Sequence, residues 1–221
     1  MSFAAGQLIT NRVERGELSK AYEEARALVK RRPQNAQAHF TLGYVYRYAG
    51  LLEDSGQECE AALRLDPGNY LLRSCTWSFL LRGDTAEARK FVALDAGSEW
   101  SSWLMPAILL REGKMNEARE ATKKMPTAPR YGRELVEAAL GLRPALELDR
   151  MAQEAANVTA EGGDDPEPLY EKGTVLAFAG KKEAALHLIR IAIKQNYCAL
   201  SALELDPLLS KCVKRRNSRT C

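Results

Sequence analysis

The feature that most constrains this 221-residue chain is a 34-residue block, AQAHFTLGYVYRYAGLLEDSGQECEAALRLDPGN, at residues 36–69. Two apolar-periodic runs, Ala38–Ala49 and Leu51–Leu65, meet at Gly50, and Asp66-Pro67-Gly68 closes the second. Glycine breaks a helix at little cost and proline cannot continue one. The pattern therefore predicts helix, tight turn, helix, stop. A helical hairpin of this kind has one apolar side and cannot bury it alone. It needs neighbours of the same kind, so the chain has to stack.

The inter-helix glycine recurs at Gly16, Gly50, Gly83, Gly113, Gly141 and Gly180. These positions predict six hairpins, at about residues 2–35, 36–69, 70–97, 98–128, 129–160 and 166–198. Gly6 weakens the first helix of repeat one. Counting from Gly83 puts Leu72, Cys75, Thr76 and Phe79 on the buried face of repeat three. Pro106 inside the first helix of repeat four should kink it or interrupt its ladder. In repeat five, Pro144 suits a helix start. A short helix is expected from about Asp206-Pro207, covering the open apolar side of the last repeat. Residues 1–210 then form one domain, and 211–221 a basic tail.

The block at 36–69 resembles the tetratricopeptide repeat, whose pattern is W-x2-L-G-x2-Y, then small and aromatic positions, then P. Leu42, Gly43, Tyr46, Gly50, Ala62 and Pro67 stand where that family expects them. His39, Ser55 and Cys59 replace its usual Trp, Ala and aromatic. The turns RGDTAEARKF and REGKMNEAREA carry the same G-x4-A spacing, and Gly173, Gly180 and Ala185 match it in repeat six. The resemblance implies an all-α, right-handed α-α superhelix, a TPR-like solenoid of about six helical hairpins plus a C-terminal capping helix. The final segment is similar to the ends of bacterial arrays attached to receptor-like kinases and transcriptional regulators.

In that family the first helix of each hairpin lines a concave groove. Carried over residue by residue, its groove positions are Phe40, Tyr44, Arg47 and Tyr48 in repeat two, Tyr70, Arg73 and Trp77 in repeat three, and Trp100 and Trp103 in repeat four. All three tryptophans fall in this set. Aromatics flanked by arginines suit a peptide: rings supply rigid apolar area and arginines pair with carboxylates. The co-chaperone clamp for C-terminal carboxylates would need Lys, Asn and Arg where this chain has Gly6, Thr10, Thr41, Tyr70 and Ser74, so that mode is not supported. The expected function is a non-enzymatic scaffold that binds a protein or peptide. Two alternatives stay open: an interaction module of a larger signalling or regulatory protein, and a self-assembling array that pairs as a homodimer.

Other classes find little foothold. No phosphate-loop, dinucleotide, zinc-protease or nucleophile-elbow motif occurs. His39 and His187 have no nucleophile or carboxylate that sequence places beside them, and no metal or cofactor is expected. The GGDD loop around Asp164 and Asp165 lacks the ligand spacing of a calcium loop. The net charge is +3, and the tail's Lys211, Lys214, Arg215, Arg216 and Arg219 account for five positive charges. The remainder is near neutral, with no footprint for nucleic acid, and the tail reads best as a solvated end. No apolar run reaches the roughly 18 residues of a membrane helix. The N-terminus lacks a basic start followed by an apolar block. The five cysteines, Cys59, Cys75, Cys198, Cys212 and Cys221, form no CxxC. Reduced thiols in a cytoplasm are expected.

Overall fold

The computed structural model describes residues 2–159 and 165–209, with side chains from residue 4. The basic tail and Gly162, Gly163 and Asp164 lie outside the described residues. Helices pair in order along the chain: α1 (Ser2–Glu14) with α2 (Leu18–Arg31), α3 (Ala36–Tyr48) with α4 (Leu52–Leu65), α5 (Thr76–Leu80) with α6 (Thr85–Ala93), and α7 (Glu99–Arg111) with α8 (Met115–Thr122). They continue with α9 (Arg133–Ala139) and α10 (Ala145–Ala156), α11 (Glu167–Phe178) and α12 (Lys182–Lys194), and end at α13 (Ala202–Leu205). This is an all-α solenoid of helical hairpins.

Local chemistry explains the boundaries. Asn35, Asp84 and Ser98 cap α3, α6 and α7, each side-chain oxygen accepting a hydrogen bond from the N–H three residues on. That satisfies one of the donors a helix start leaves free. All six turn glycines adopt positive φ, between +72° and +81°, a region that costs an L-residue with a Cβ. Within hairpins, small residues let backbones approach. Ser55 Oγ donates to the Gly43 carbonyl at 2.7 Å.

Several local expectations differ from the structure. Gly6 does not fray repeat one, since α1 runs unbroken from Ser2 to Glu14. The α7 helix is not ended by Pro106, though its ladder lacks the bond that proline has no N–H to make, as expected. Repeat three opens on a 3-10 helix, Tyr70–Cys75, ahead of a short α5. The cause is Asn69, whose side chain accepts from Leu71 N–H, two residues on rather than three, and tightens the first turn. Leu72, Cys75, Thr76 and Phe79 are all buried there. A short helix, α13, precedes Asp206, and the helix expected from Asp206-Pro207 falls mostly on residues past 209, outside the described residues.

Cys59 and Cys75 form a disulfide, with Cα atoms 5.9 Å apart, joining α4 to the 3-10 helix of the next repeat. This corrects the expectation of reduced thiols for these two residues, and with it the argument for a cytoplasm, because disulfides persist in oxidising compartments. The pairing was not legible beforehand because the two cysteines lie in different repeats and meet only through stacking.

The array also curls back on itself. Residues 196–207 pass the turns of repeats one, two and three in succession. Asn196 Nδ2 donates to the Gly16 carbonyl at 2.8 Å, Ser201 Oγ to the Gly50 carbonyl at 3.3 Å, and Pro207 packs beside Gly83. The Cys198 N–H donates to the Tyr48 carbonyl at 2.6 Å. One apolar core therefore joins Ile9, Val13, Leu42 and Val45 to Tyr170, Leu188 and Tyr197. The C-terminal segment does not simply cover repeat six; it ties that repeat to the first three.

Gly50 shows what this closure requires. A Cβ there would lie 2.1 Å from the Cys198 carbonyl oxygen, whereas one at Gly113 would meet nothing within 4 Å. Gly113→Ala is expected to cost about 1–2 kcal/mol, for the left-handed backbone alone. Gly50→Ala is expected to cost roughly 3 kcal/mol or more, because the Cys198 carbonyl must also move. Urea unfolding of the two variants measures the difference. Reducing the Cys59–Cys75 bond, which spans 16 residues, should lower stability by about 3 kcal/mol, read as a fall in the urea midpoint on adding reductant.

Candidate partner-binding site

The stripe on α3 forms as one unit. Phe40 and Tyr44 lie 6.2 Å apart between ring centres, Tyr44 stacks on Tyr48 at 5.0 Å, and the Arg47 guanidinium lies 4.4 Å from the Tyr44 ring centre. Spacing of one helical turn along α3 puts them there.

The stripe is not open, however. Arg47 is 1% exposed and Tyr48 fully buried. Arg47 Nε lies 2.8 Å from Glu167 Oε1, and Nη2 donates to Glu167 Oε2 at 3.0 Å. Nη1 donates to the Ser74 carbonyl at 2.9 Å. Tyr48 Oη donates to Asp165 Oδ1 at 2.6 Å, and its ring meets Tyr197 edge-on at 4.8 Å. Tyr197 Oη donates to Glu167 Oε1 at 2.9 Å. Tyr44 Oη donates to Glu14 Oε1 at 2.8 Å, and Phe40 is buried. The aromatic and carboxylate groups expected of a peptide are supplied here by the chain itself: Glu14 from α1, Asp165, and Glu167 and Tyr197 from repeat six.

Repeats three and four differ. Tyr70 is 53% exposed. The Arg73 guanidinium lies 5.3 Å from the Tyr70 ring centre and 5.4 Å from that of Trp100, while Nη1 donates to Asp95 at 2.7 Å. The 3-10 turn eclipses residues i and i+3, which places Tyr70 beneath Arg73. Trp103 contacts Trp77 and Trp100, both at 5.9 Å, and Tyr131 at 5.8 Å. Trp100 and Trp103 are partly buried, and Trp77, 5% exposed, lies beneath Trp103. The tryptophans thus make one continuous aromatic surface with Tyr131.

Sequence reasoning missed the partners of this surface. Glu167 holds, counted back from Gly180, the place Gln37 holds before Gly50. Extending the groove positions to repeat six would have found it. Glu171, one turn later on α11, faces the same interior. Nothing in the sequence signals Tyr131, which sits in a three-residue 3-10 turn, Pro129–Tyr131, between repeats.

The buried acids set the electrostatics. Burial pushes Glu167 up to about 7, with Arg47 opposing and nearby Asp165 adding to the rise. Burial, then Glu167 and Asp165, hold Glu171 well above the carboxylate range. Glu167 receives Arg47 and Tyr197, whereas the Glu171 carboxylate makes no hydrogen bond or ion pair among the described residues. Arg47 and Tyr197 favour the ionised form of Glu167, and no described partner does so for Glu171, so a proton taken up by the pair goes first to Glu171.

The histidines are held within the structure. His39 Nδ1 lies 2.6 Å from Glu58 Oε2 and Nε2 lies 2.9 Å from the Pro33 carbonyl. This carboxylate partner, on the adjacent helix, was not expected. His187 Nε2 lies 2.8 Å from the Val158 carbonyl. No described helix is long and apolar enough to cross a membrane.

A family model described as tetratricopeptide repeat matches residues 7–70. Over that stretch, repeats one and two, the chain is similar to the tetratricopeptide repeat family. No curated protein matches the chain.

A pH dependence follows from the raised acids. Glu167 and Glu171 titrate near 4.5 in the unfolded chain and higher in the folded one. Their contribution is complete below about 4.5 and is lost as pH rises through the raised folded values, about 7 for Glu167. Glu112, held at about 2 chiefly by Arg89, and Glu137, lowered by Arg133 and Arg143 against the effect of its burial, act the other way and are lost only below about 4.5. Thermal unfolding should therefore peak near pH 5 and decline toward pH 8. Glu171→Gln should flatten that decline and raise the midpoint at pH 8.

Proposed function

We propose that the protein is a non-enzymatic interaction scaffold. Its contact surface is the aromatic patch of repeats three and four: Tyr70, Arg73, Trp100 and Trp103, bordered by Trp77 and Tyr131. Tetratricopeptide repeats generally mediate protein–protein interaction, and the match over residues 7–70 supports that reading for this chain. The observation that carries the surface is the run of touching rings from Tyr70 through Arg73 to Trp100, Trp103 and Tyr131. It combines rigid apolar area with an exposed edge, and large aromatics with arginine dominate binding energy at interfaces.

The stripe on α3 serves differently in this reading. Phe40, Tyr44, Arg47 and Tyr48 hold the array closed, and a partner reaches them only by displacing Glu167 and Tyr197. Because the open patch is preformed, little ordering entropy is spent on association. A cytoplasmic setting is kept only if Cys59 and Cys75 are found as thiols in the source cell.

Selection of displayed peptides on the purified chain tests the scaffold reading, with tryptophan fluorescence as the readout for enriched sequences. Trp100→Ala and Trp103→Ala are expected to weaken binding about tenfold or more, a loss of at least ~1.4 kcal/mol. Failure to enrich any sequence, or unchanged binding by both variants, sinks the assignment.

A further inference from the structure

Beside the aromatic patch lies a small cavity of about 60 Å3 between α5, α7, the turn at Tyr131 and α11. A water occupies about 10–15 Å3 on this measure, so the space suits a side-chain end of about four to six heavy atoms. Trp77, Trp103 and Tyr131 form part of its wall, and Leu208 lies against it. Glu171 also lines it, and its carboxylate makes no hydrogen bond or ion pair among the described residues.

The surrounding charges are otherwise engaged or lie at the mouth. Arg111 on α7 also lines the cavity; its Nη2 donates to buried Asp206 at 2.7 Å and its Nη1 to the Ala107 carbonyl, while its Nε is buried without a hydrogen-bond partner among the described residues. Arg47 on α3 is consumed by Glu167, and Asp165 accepts from Tyr48. Arg130, in the turn, and exposed Lys172, on α11, stand at the rim, the Arg130 guanidinium 4.7 Å from the Tyr131 ring centre. Aromatic faces attract a cation through their quadrupole, and a carboxylate with no hydrogen bond or ion pair among the described residues completes the site.

We propose that this cavity receives the lysine or arginine side chain of a partner peptide, with Trp77, Trp103 and Tyr131 as its walls and the Glu171 carboxylate as its counter-ion. The rim cations Arg130 and Lys172 favour an acidic residue next to that basic one. This rests on the scaffold reading and names the chemistry of the partner. Burial, with Glu167 and Asp165 nearby, raises the Glu171 carboxyl above the ordinary carboxylate range, so a cation entering favours its ionised form and affinity rises with pH.

The test uses the full chain and two hexapeptides, Gly-Ala-Lys-Glu-Ala-Gly and the same sequence with norleucine for lysine, titrated by tryptophan fluorescence. The lysine peptide should bind at least tenfold more tightly than the norleucine peptide, and more tightly at pH 8 than at pH 6. Glu171→Gln, checked as folded by circular dichroism, should bind the lysine peptide at least tenfold more weakly and lose the pH dependence. Equal binding of the two peptides, no saturable signal with either, or unaltered affinity in Glu171→Gln overturns the proposal. If display-selected peptides still bind in a Trp100-dependent way in that event, the scaffold reading stands and the basic-side-chain site alone falls. If they do not, both fall.

Discussion

The ion pair between Arg47 and Glu167 is the contact on which the rest of the arrangement depends. It joins α3 to α11 across 120 residues of sequence. Removing two charges from water is costly, and the cost is recovered only when the geometry is good and the remaining donors and acceptors are filled. Here most of these groups are filled, although Arg47 Nε, close to Glu167, makes no aligned hydrogen bond. The guanidinium meets the carboxylate at two points and spends another N–H on the Ser74 carbonyl, while Tyr197 fills a Glu167 oxygen. An array that closed in another register would leave these charges buried and alone. The pair therefore selects one closure among the many that apolar stacking would allow.

That closure divides the inner surface. Repeats one and two face the chain's own repeat six, and the hydroxyls of Tyr44 and Tyr48 end on acidic side chains. Repeats three and four keep an aromatic face with exposed edges. A second buried pair, Arg111 with Asp206, anchors the returning segment beside that face and places Leu208 against the cavity. The acids gathered by the closure outnumber the arginines they surround, and the surplus settles on Glu171. Stability and recognition thus meet at one side chain, which costs stability when ionised without a partner and gains a role when a cation arrives.

Much of the local fold was legible because its causes are local. The glycine positions were readable because each turn needs positive φ. The burial of Leu72, Cys75, Thr76 and Phe79 followed from counting back from Gly83. Other features were not legible because two competing local effects had to be weighed. The Asn69 side chain tightened the start of repeat three, Gly6 was carried within α1, and Pro106 was accommodated inside α7. The site was half legible: repeat spacing found the rings and arginines, while Tyr131 lay in an irregular turn and Glu171 at a helix position outside the groove set.

What the sequence by itself determined is the hairpin, its turns and the faces of its helices, since these depend on residues within a few turns of one another. What only the tertiary structure decided is which of those faces remain open. Arg47 and Tyr48 look the same in sequence whether they await a partner or have one within the chain. Cys59 and Cys75 look the same as thiols or as a disulfide. The first distinction depends on how far the stacked repeats curl, which sums small rotations over the whole array, and the second on how one repeat packs against the next. No single stretch of sequence carries either.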